Sequence, residues 1–91
     1  MNPKTITNKK IEVKEKVVKE HNLILFNDDV NTFEHVIELL IKICDHDAIQ
    51  AEQCATLVHF SGKCAVKKGE YAVLEIMSGI LADNGLTVEI N

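Results

Sequence analysis

The sequence predicts an α/β two-layer sandwich, β-α-α-β-α-β, in which three helices cover a three-stranded sheet. Three observations support this fold class. Short apolar or alternating runs with the length of strands occur at three places, amphipathic runs with helical spacing lie between them, and capping residues or glycines separate the runs. The 91 residues are enough for one such domain, near the lower limit of what buries its own core.

The first strand and the first helix are predicted from residues 21–44. The segment His21–Phe26 ends in a continuous apolar run, which predicts a central strand. Asn31, with Glu34 three residues later, resembles a capping box, so a helix should run from about Thr32 to Cys44. Apolar residues at helical spacing should form its buried stripe. They are Phe33, Val36, Ile37, Leu40, Ile41 and Cys44.

A second helix is predicted between two capping signals. Asp47 can cap its start, with Gln50 as the reciprocal partner, and Gly62 is suited to the position just past its end. The helix should run from about Ala48 to Phe60. Its small residues, which would allow close approach of a neighbour, are Ala48, Ala51 and Ala55.

The last three elements complete the predicted order. Residues 63–67 place Cys64, Ala65 and Val66 between two lysines and predict a short strand. A third helix should begin at Gly69–Glu70 and end at Asn84–Gly85. Residues 86–90 alternate cleanly and predict the final strand. The apolar residues expected on the third helix are Tyr71, Leu74, Met77, Ile80 and Leu81.

Charge divides the chain into two parts. Residues 1–20 carry six lysines and three glutamates, a net charge of +3, whereas residues 21–91 carry four lysines and eleven acids, a net charge of −7. We expect a flexible N-terminal extension over residues 1–20 and a folded domain over residues 21–91. The acidic domain argues against a nucleic-acid partner, and no apolar run is long enough to span a membrane. Three widely spaced cysteines fit a reducing cytoplasm.

The cysteines and histidines of this chain could in principle form a metal site or a catalytic pair. The potential zinc ligands are Cys44, His46, Cys54, His59 and Cys64, and no pair has the C-x-x-C or H-x₃-H spacing of a zinc site. A nucleophile–base pair of Cys64 and His59 would lack a third group to orient the histidine. We therefore expect no metal, no cofactor and no catalytic residue, and the chain is expected not to be an enzyme.

The most informative segment follows the first predicted strand. Asn27, Asp28 and Asp29 place an amide and two carboxylates where the backbone turns into a helix. Such a turn could form a small pocket for a positive group. The alternative is that these residues only form the turn and cap the helix, because Asn and Asp favour both positions.

The wider pattern around this turn resembles the ClpS family, the N-degron adaptors of Clp AAA+ proteases. It is carried by Leu23–Ile37, with Asn27-Asp28-Asp29 at the strand end, and by Val58–Cys64, with Val58-His59, a two-residue spacer and Gly62-Lys63. The resemblance covers residues 21 to about 90. It implies an adaptor that binds substrates with a bulky hydrophobic N-terminal residue (Leu, Phe, Tyr or Trp) and delivers them to a Clp-type AAA+ unfoldase, ClpA-like or ClpC-like. A ribosomal-stalk-like interaction domain without an amine pocket is the alternative.

The resemblance also implies site residues. Asn27, Asp29 and His59 would hold the substrate α-amino group, and Asp28 would help to shape this end of the site. The residues implied for the hydrophobic pocket are Leu25, Asn31, Phe33, Val36, Ala55, Val58 and Leu86. The family often has Thr where Asn31 stands and Met where Phe33 and Ala55 stand, so the pocket should differ in shape. The extension over residues 1–20 resembles the family segment that engages the unfoldase during delivery.

Overall fold

The computed structural model describes residues 19–91, whose six elements follow the predicted order β-α-α-β-α-β. The predicted N-terminal extension lies outside the described residues except for Lys19 and Glu20. The elements are β1 His21–Phe26, α1 Phe33–Cys44, α2 Ala48–Ser61, β2 Lys63–Gly69, α3 Tyr71–Asp83 and β3 Thr87–Ile90. No helix among these residues has the length and apolar character needed to cross a membrane.

The sheet has the order β2-β1-β3, with both outer strands antiparallel to β1, so the first strand is central as predicted. Side chains alternate along β1, and Leu23 and Leu25 on one face are 0% and 1% exposed. They pair with Ile90 and Val88 of β3, which pack against the same core. The helices therefore cover the face of the sheet that carries these four residues. The register of the pairing between β1 and β2 shifts between Leu23 and Ile24.

The buried face of α1 differs from the predicted stripe. Leu39, Leu40 and Cys44 are buried, whereas Phe33 and Ile41 are each 39% exposed. Because α1 packs against both other helices, its buried face widens to include Leu39 and shifts away from Ile41. Phe33 lies in the first turn, outside the group of core residues.

The small-residue face of α2 is narrower than predicted, and the buried face of α3 is also narrow. Ala48 is exposed because it is the first residue of α2, while Ala51 and Ala55 are buried together with Cys54 and Val58. In α3 the core contact is limited to a line through Leu74, Met77 and Leu81. Tyr71 and Ile80, the other apolar residues expected on this helix, are 50% and 39% exposed.

Helix capping confirms one predicted signal and corrects another. The Asp47 carboxylate accepts a hydrogen bond from the Gln50 N–H at 2.7 Å, which is half of the predicted reciprocal pair. At the start of α1, however, Thr32 is the capping residue, and its Oγ1 accepts from the His35 N–H at 3.0 Å. Asn31 cannot serve as the cap because its side chain is engaged with other partners.

The end of each later helix determines where the next strand begins. Gly62 ends α2 with a positive φ of 94°, as predicted. The turn after α3 is a Schellman motif in which the N–H of Gly85 donates to Ala82 and that of Leu86 donates to Leu81. Leu86 therefore belongs to this turn, and β3 begins one residue later than expected. Strand β2 extends two residues further than predicted, to Gly69.

Candidate functional site

A depression of about 510 Å³ opens between the first turns of α1 and the second half of α2. The loop from β1 to α1 supplies its polar side, and the two helices supply its apolar side. The lining residues are Asn27, Asp28, Asp29, Asn31, Thr32, Phe33, Val36, Ala55, Val58 and His59.

The apolar side is built from the regular spacing of two helices. Ala55, Val58 and His59 stand at positions i, i+3 and i+4 of α2 and so share one face. Phe33 and Val36 stand three residues apart on α1. Ala55 and Val58 are buried, and Phe33 is the largest apolar side chain of the depression that remains partly open to solvent. The result is an apolar recess with a small side chain, Ala55, in its lining.

The polar side is a turn organised by the Asp28 carboxylate. Its Oδ1 accepts hydrogen bonds from the N–H groups of Val30 and Asn31, both at 2.8 Å, and its Oδ2 accepts from Asn31 Nδ2 at 2.8 Å. These bonds, led by the Asn31 N–H, lower the pKa of Asp28 below its ordinary value, against the opposing effect of burial. Asp28 is thus committed to the shape of the turn, as an Asx-type turn residue.

The neighbours of Asp28 have side chains that face outward. Asn27 and Asp29 are exposed, and no hydrogen bond from residues 19–91 occupies the Asn27 side-chain amide or the Asp29 carboxylate. The backbone N–H of Asn27 donates to the Gly62 carbonyl at 2.9 Å, which ties the end of β1 to the end of α2. His59, exposed in the last turn of α2, lines the same depression. An amide, a carboxylate and an imidazole therefore surround one end of it.

The structure brings together most of the residues implied by the family resemblance. All four of the implied amine-site residues line the depression, as do Asn31, Phe33, Val36, Ala55 and Val58. Leu25 and Leu86 do not line it, because they are 1% and 4% exposed and belong to the core. Thr32 is a lining residue that the sequence reasoning missed, although Thr is a standard capping residue at the start of a helix.

The other candidate ligands lie apart from the depression, with the exception of His59. His46 is 5% exposed and its Nε2 donates to the Val66 carbonyl at 2.6 Å. Burial raises the pKa of the Cys44 thiol to about 11, and burial together with the nearby Cys64 thiol raises that of Cys54 to about 12. Cys64 is half-buried, with its Sγ 3.5 Å from the Ala65 carbonyl. Within residues 19–91, no three His, Cys, Asp or Glu side chains are arranged to hold a metal ion.

His35 also makes a side-chain hydrogen bond. Its Nε2 lies on the α3 side of the helix and donates to the Asn84 carbonyl at 3.0 Å. The first turn of α1 is therefore in contact with the turn that follows α3.

Comparisons with known proteins agree on one family. The family described as "ATP-dependent Clp protease adaptor protein ClpS" matches residues 16–89. The ATP-dependent Clp protease adapter protein ClpS of Thermosynechococcus vestitus is 30% identical over 87 residues, which cover 94% of this chain and 93% of the relative. The protein of the same name from Acetivibrio thermocellus is 38% identical over 66 residues, 72% of this chain and 67% of the relative.

A solved structure shares the fold. The structure of Agrobacterium tumefaciens ClpS2 bound to L-phenylalaninamide matches with a TM-score of 0.72, covering 82% of this chain and 98% of that chain at 17% identity. The sequence matches establish the family and the structural match establishes the common architecture. The chain therefore belongs to the ClpS family of ATP-dependent Clp protease adaptors.

Proposed function

We propose that this protein is a non-enzymatic adaptor that binds other proteins through a bulky hydrophobic N-terminal residue and delivers them to a Clp-type AAA+ unfoldase for degradation. The observation that carries the proposal is the two-part depression, in which outward-facing polar groups lie directly beside an apolar recess. An N-terminal Leu or Phe has the same two parts, a positive amine and an apolar side chain joined to one carbon atom.

The polar end suits an α-ammonium group. Such a group has three N–H donors and a positive charge, so it needs several acceptors and favours a carboxylate among them. Asp29 offers the carboxylate, Asn27 an amide oxygen and His59 a ring nitrogen. Asp28 supports these groups by holding the turn. The net charge of −7 over residues 21–91 also attracts a cationic N-terminus toward the domain.

The apolar end suits the side chain of the first residue. Phe33, Val36, Ala55 and Val58 can contact a side chain that extends from the amine into the recess. The Agrobacterium ClpS2 structure supports this assignment, because L-phenylalaninamide has a free α-amino group and a bulky aromatic side chain. We propose the same class of ligand here: N-terminal Leu, Phe, Tyr or Trp.

The proposed protein partner is a ClpA-like or ClpC-like unfoldase, which would supply the ATP hydrolysis that the adaptor lacks. Glu70 and Glu75 are exposed at the start of α3 and beside the exposed apolar side chains of Val73 and Ile76. We propose this end of α3 as the docking surface and residues 1–20 as the segment that engages the unfoldase during delivery. The free cysteines agree with action in the reducing cytoplasm.

The test of the proposal is the affinity for a Leu-initiated peptide compared with the same peptide after N-acetylation, measured by fluorescence anisotropy. Acetylation removes the positive charge and two donors, so binding should weaken by about 2–5 kcal/mol. A peptide with Gly placed before Leu keeps the amine but moves the bulky side chain to the second position, and it should also bind weakly. Equal affinity for the free and the acetylated peptide would contradict the proposal.

A further inference from the structure

One side chain joins the polar end of the depression to the turn between α3 and β3. Asn31 Nδ2 donates to Asp28 Oδ2 at 2.8 Å and to the Gly85 carbonyl at 2.8 Å. The Asn31 backbone N–H also donates to Asp28 Oδ1 at 2.8 Å. A primary amide has two N–H donors, so both donors of this side chain are used within the protein. Asn31 therefore lines the depression without offering a free donor to a ligand.

The turn between α3 and β3, which accepts the bond from Asn31, has a well-defined backbone conformation. Gly85 has a φ of 93° and occupies the left-handed position of the Schellman motif, which directs its carbonyl toward Asn31. A Cβ built on Gly85 would lie 3.5 Å from Asn31 Oδ1, so the two residues are in contact. The next residue, Leu86, is buried in the core and holds the turn in place. His35 makes a separate bond to this turn, to the Asn84 carbonyl.

We propose that Asn31 is a positioning residue of the amine-binding site, acting by fixing the Asp28 carboxylate against the Gly85 carbonyl. The proposal rests on the proposed function and deepens it. The Asp28 carboxylate holds the backbone N–H groups of Val30 and Asn31, so loss of its orientation would release the backbone of the turn that carries Asn27 and Asp29. Asn31 is the residue that bonds to both oxygens of Asp28 and to the distant turn, and it thereby fixes where Asn27 and Asp29 point.

Two substitutions at Asn31 separate hydrogen bonding from volume. Asn31→Ala removes both donors together with most of the side chain. Asn31→Leu keeps a similar shape, removes both donors and adds no charge. For each variant, the affinity for the free Leu peptide should fall about tenfold, which corresponds to about 1.4 kcal/mol. The ratio of free-peptide to acetylated-peptide affinity should fall with it, because the loss is confined to the amine.

The same turn provides a matched control. Asn84 Nδ2 donates to the Ile80 carbonyl at 2.8 Å, a bond of the same type and length that stays within the end of α3. Asn84→Ala and Asn84→Leu should lower the melting temperature to a similar extent or more, since they weaken a helix end, but they keep the backbone bonds of Gly85 and Leu86 that hold the turn. They should leave both the affinity and the free-to-acetylated ratio at the wild-type values.

A further test uses only the wild-type protein and so does not depend on whether a variant folds. The side-chain amide protons of Asn31 should exchange with water more slowly than those of the exposed Gln53. Equal exchange rates would overturn the proposal. So would Asn31 variants with the wild-type free-to-acetylated ratio, whether their overall affinity is unchanged or falls equally for both peptides. The proposed function would survive those results, and it would fall together with the inference if the wild type itself did not distinguish the two peptides.

Discussion

The polar and the apolar ends of the depression are built by different physical means. The polar end is a turn held by side-chain hydrogen bonds, and the groups assigned to the ligand, Asn27 and Asp29, are exposed. The apolar end is formed by two helices whose lining residues Ala55 and Val58 are also part of the buried interior. Binding and stability should therefore be separable at the polar end and coupled at the apolar end.

The strongest test of this difference is Asp29→Ala. The Asp29 carboxylate has no hydrogen-bonding partner within residues 19–91, and Thr32, not Asp29, caps α1. Affinity for a Leu-initiated peptide should fall by about 2–5 kcal/mol because a charged partner of the amine is lost. The melting temperature should remain near that of the wild type. Anisotropy and a thermal melt on the same sample measure both quantities.

Asp83→Ala is the matched control, because Asp83 is an exposed carboxylate at the end of α3 and does not line the depression. It changes the net charge by the same amount and should leave peptide affinity unchanged. If Asp29→Ala instead binds peptide normally and loses about 1 kcal/mol of stability, the residue has only a local structural role of the capping type.

Phe33→Ala tests the border between the two ends. Its ring is 39% exposed, so truncation should cost less than the 3–5 kcal/mol typical of a buried Phe, about 1–2 kcal/mol in a urea melt. Side chains in the first turn point back toward the helix N-terminus, which directs this ring toward the acidic turn. A β-branched first residue carries its bulk beside the amine, where this ring would exclude it.

The expected result is that Phe33→Ala raises the affinity for Ile- and Val-initiated peptides relative to Leu by about 1–3 kcal/mol. Tyr71→Ala serves as the control, since Tyr71 is another half-exposed aromatic residue and lies outside the depression. An unchanged preference for Leu over Ile, combined with a large loss of stability, would show that Phe33 is a core residue and not a gate.

Acidification should have the smallest effect and should act at the polar end. The pKa of Asp28 lies below its ordinary value of 3.8 because of the hydrogen bonds from Asn31 and Val30. A depressed pKa in the folded state means that this contribution is present above the ordinary pKa and is lost as the pH falls through the folded value. The turn should therefore remain intact at pH 5 and loosen only at about pH 4 and below.

An NMR titration of the Asp28 carboxyl carbon checks this prediction. The midpoint should lie below 3.8 in the wild type and should move upward in Asn31→Ala, because the hydrogen bond from the Asn31 side chain is lost while the bond from its backbone N–H remains. An unshifted midpoint in the wild type would mean that the carboxylate is not held as described.

Sequence signals with a short range were sufficient for the order of the elements. Asp47 and Gly62 bound α2 because a cap depends on residues within one turn of the helix. The position of β1 at the centre of the sheet followed from its continuous apolar run. The predicted end of β2 and the predicted start of β3 were less accurate. Leu86 continues the apolar–polar alternation of the last strand in sequence, yet its N–H donates to the Leu81 carbonyl in the turn after α3.

The site was partly predictable for a similar reason. Asn27, Asp28 and Asp29 are adjacent in the chain, so their presence in one turn was visible in the sequence, and family resemblance added His59. The separate roles of the residues within the turn could not be seen in the sequence. It depends on Asn31 bonding to Gly85, a residue 54 positions away. That contact removes Asn31 from the capping role, which passes to Thr32.

Local sequence alone sets the order of the elements, the helix caps at Asp47 and Gly62, and the residue types gathered at the end of β1. These features depend on backbone preferences and hydrogen bonds that reach only a few residues. Tertiary structure decided which face of α1 is buried, which leaves Phe33 at the depression and Leu39 in the core. It also buries Leu25 and Leu86 in the core, where they do not line the depression. Burial depends on which elements pack together, and no local sequence pattern specifies that packing.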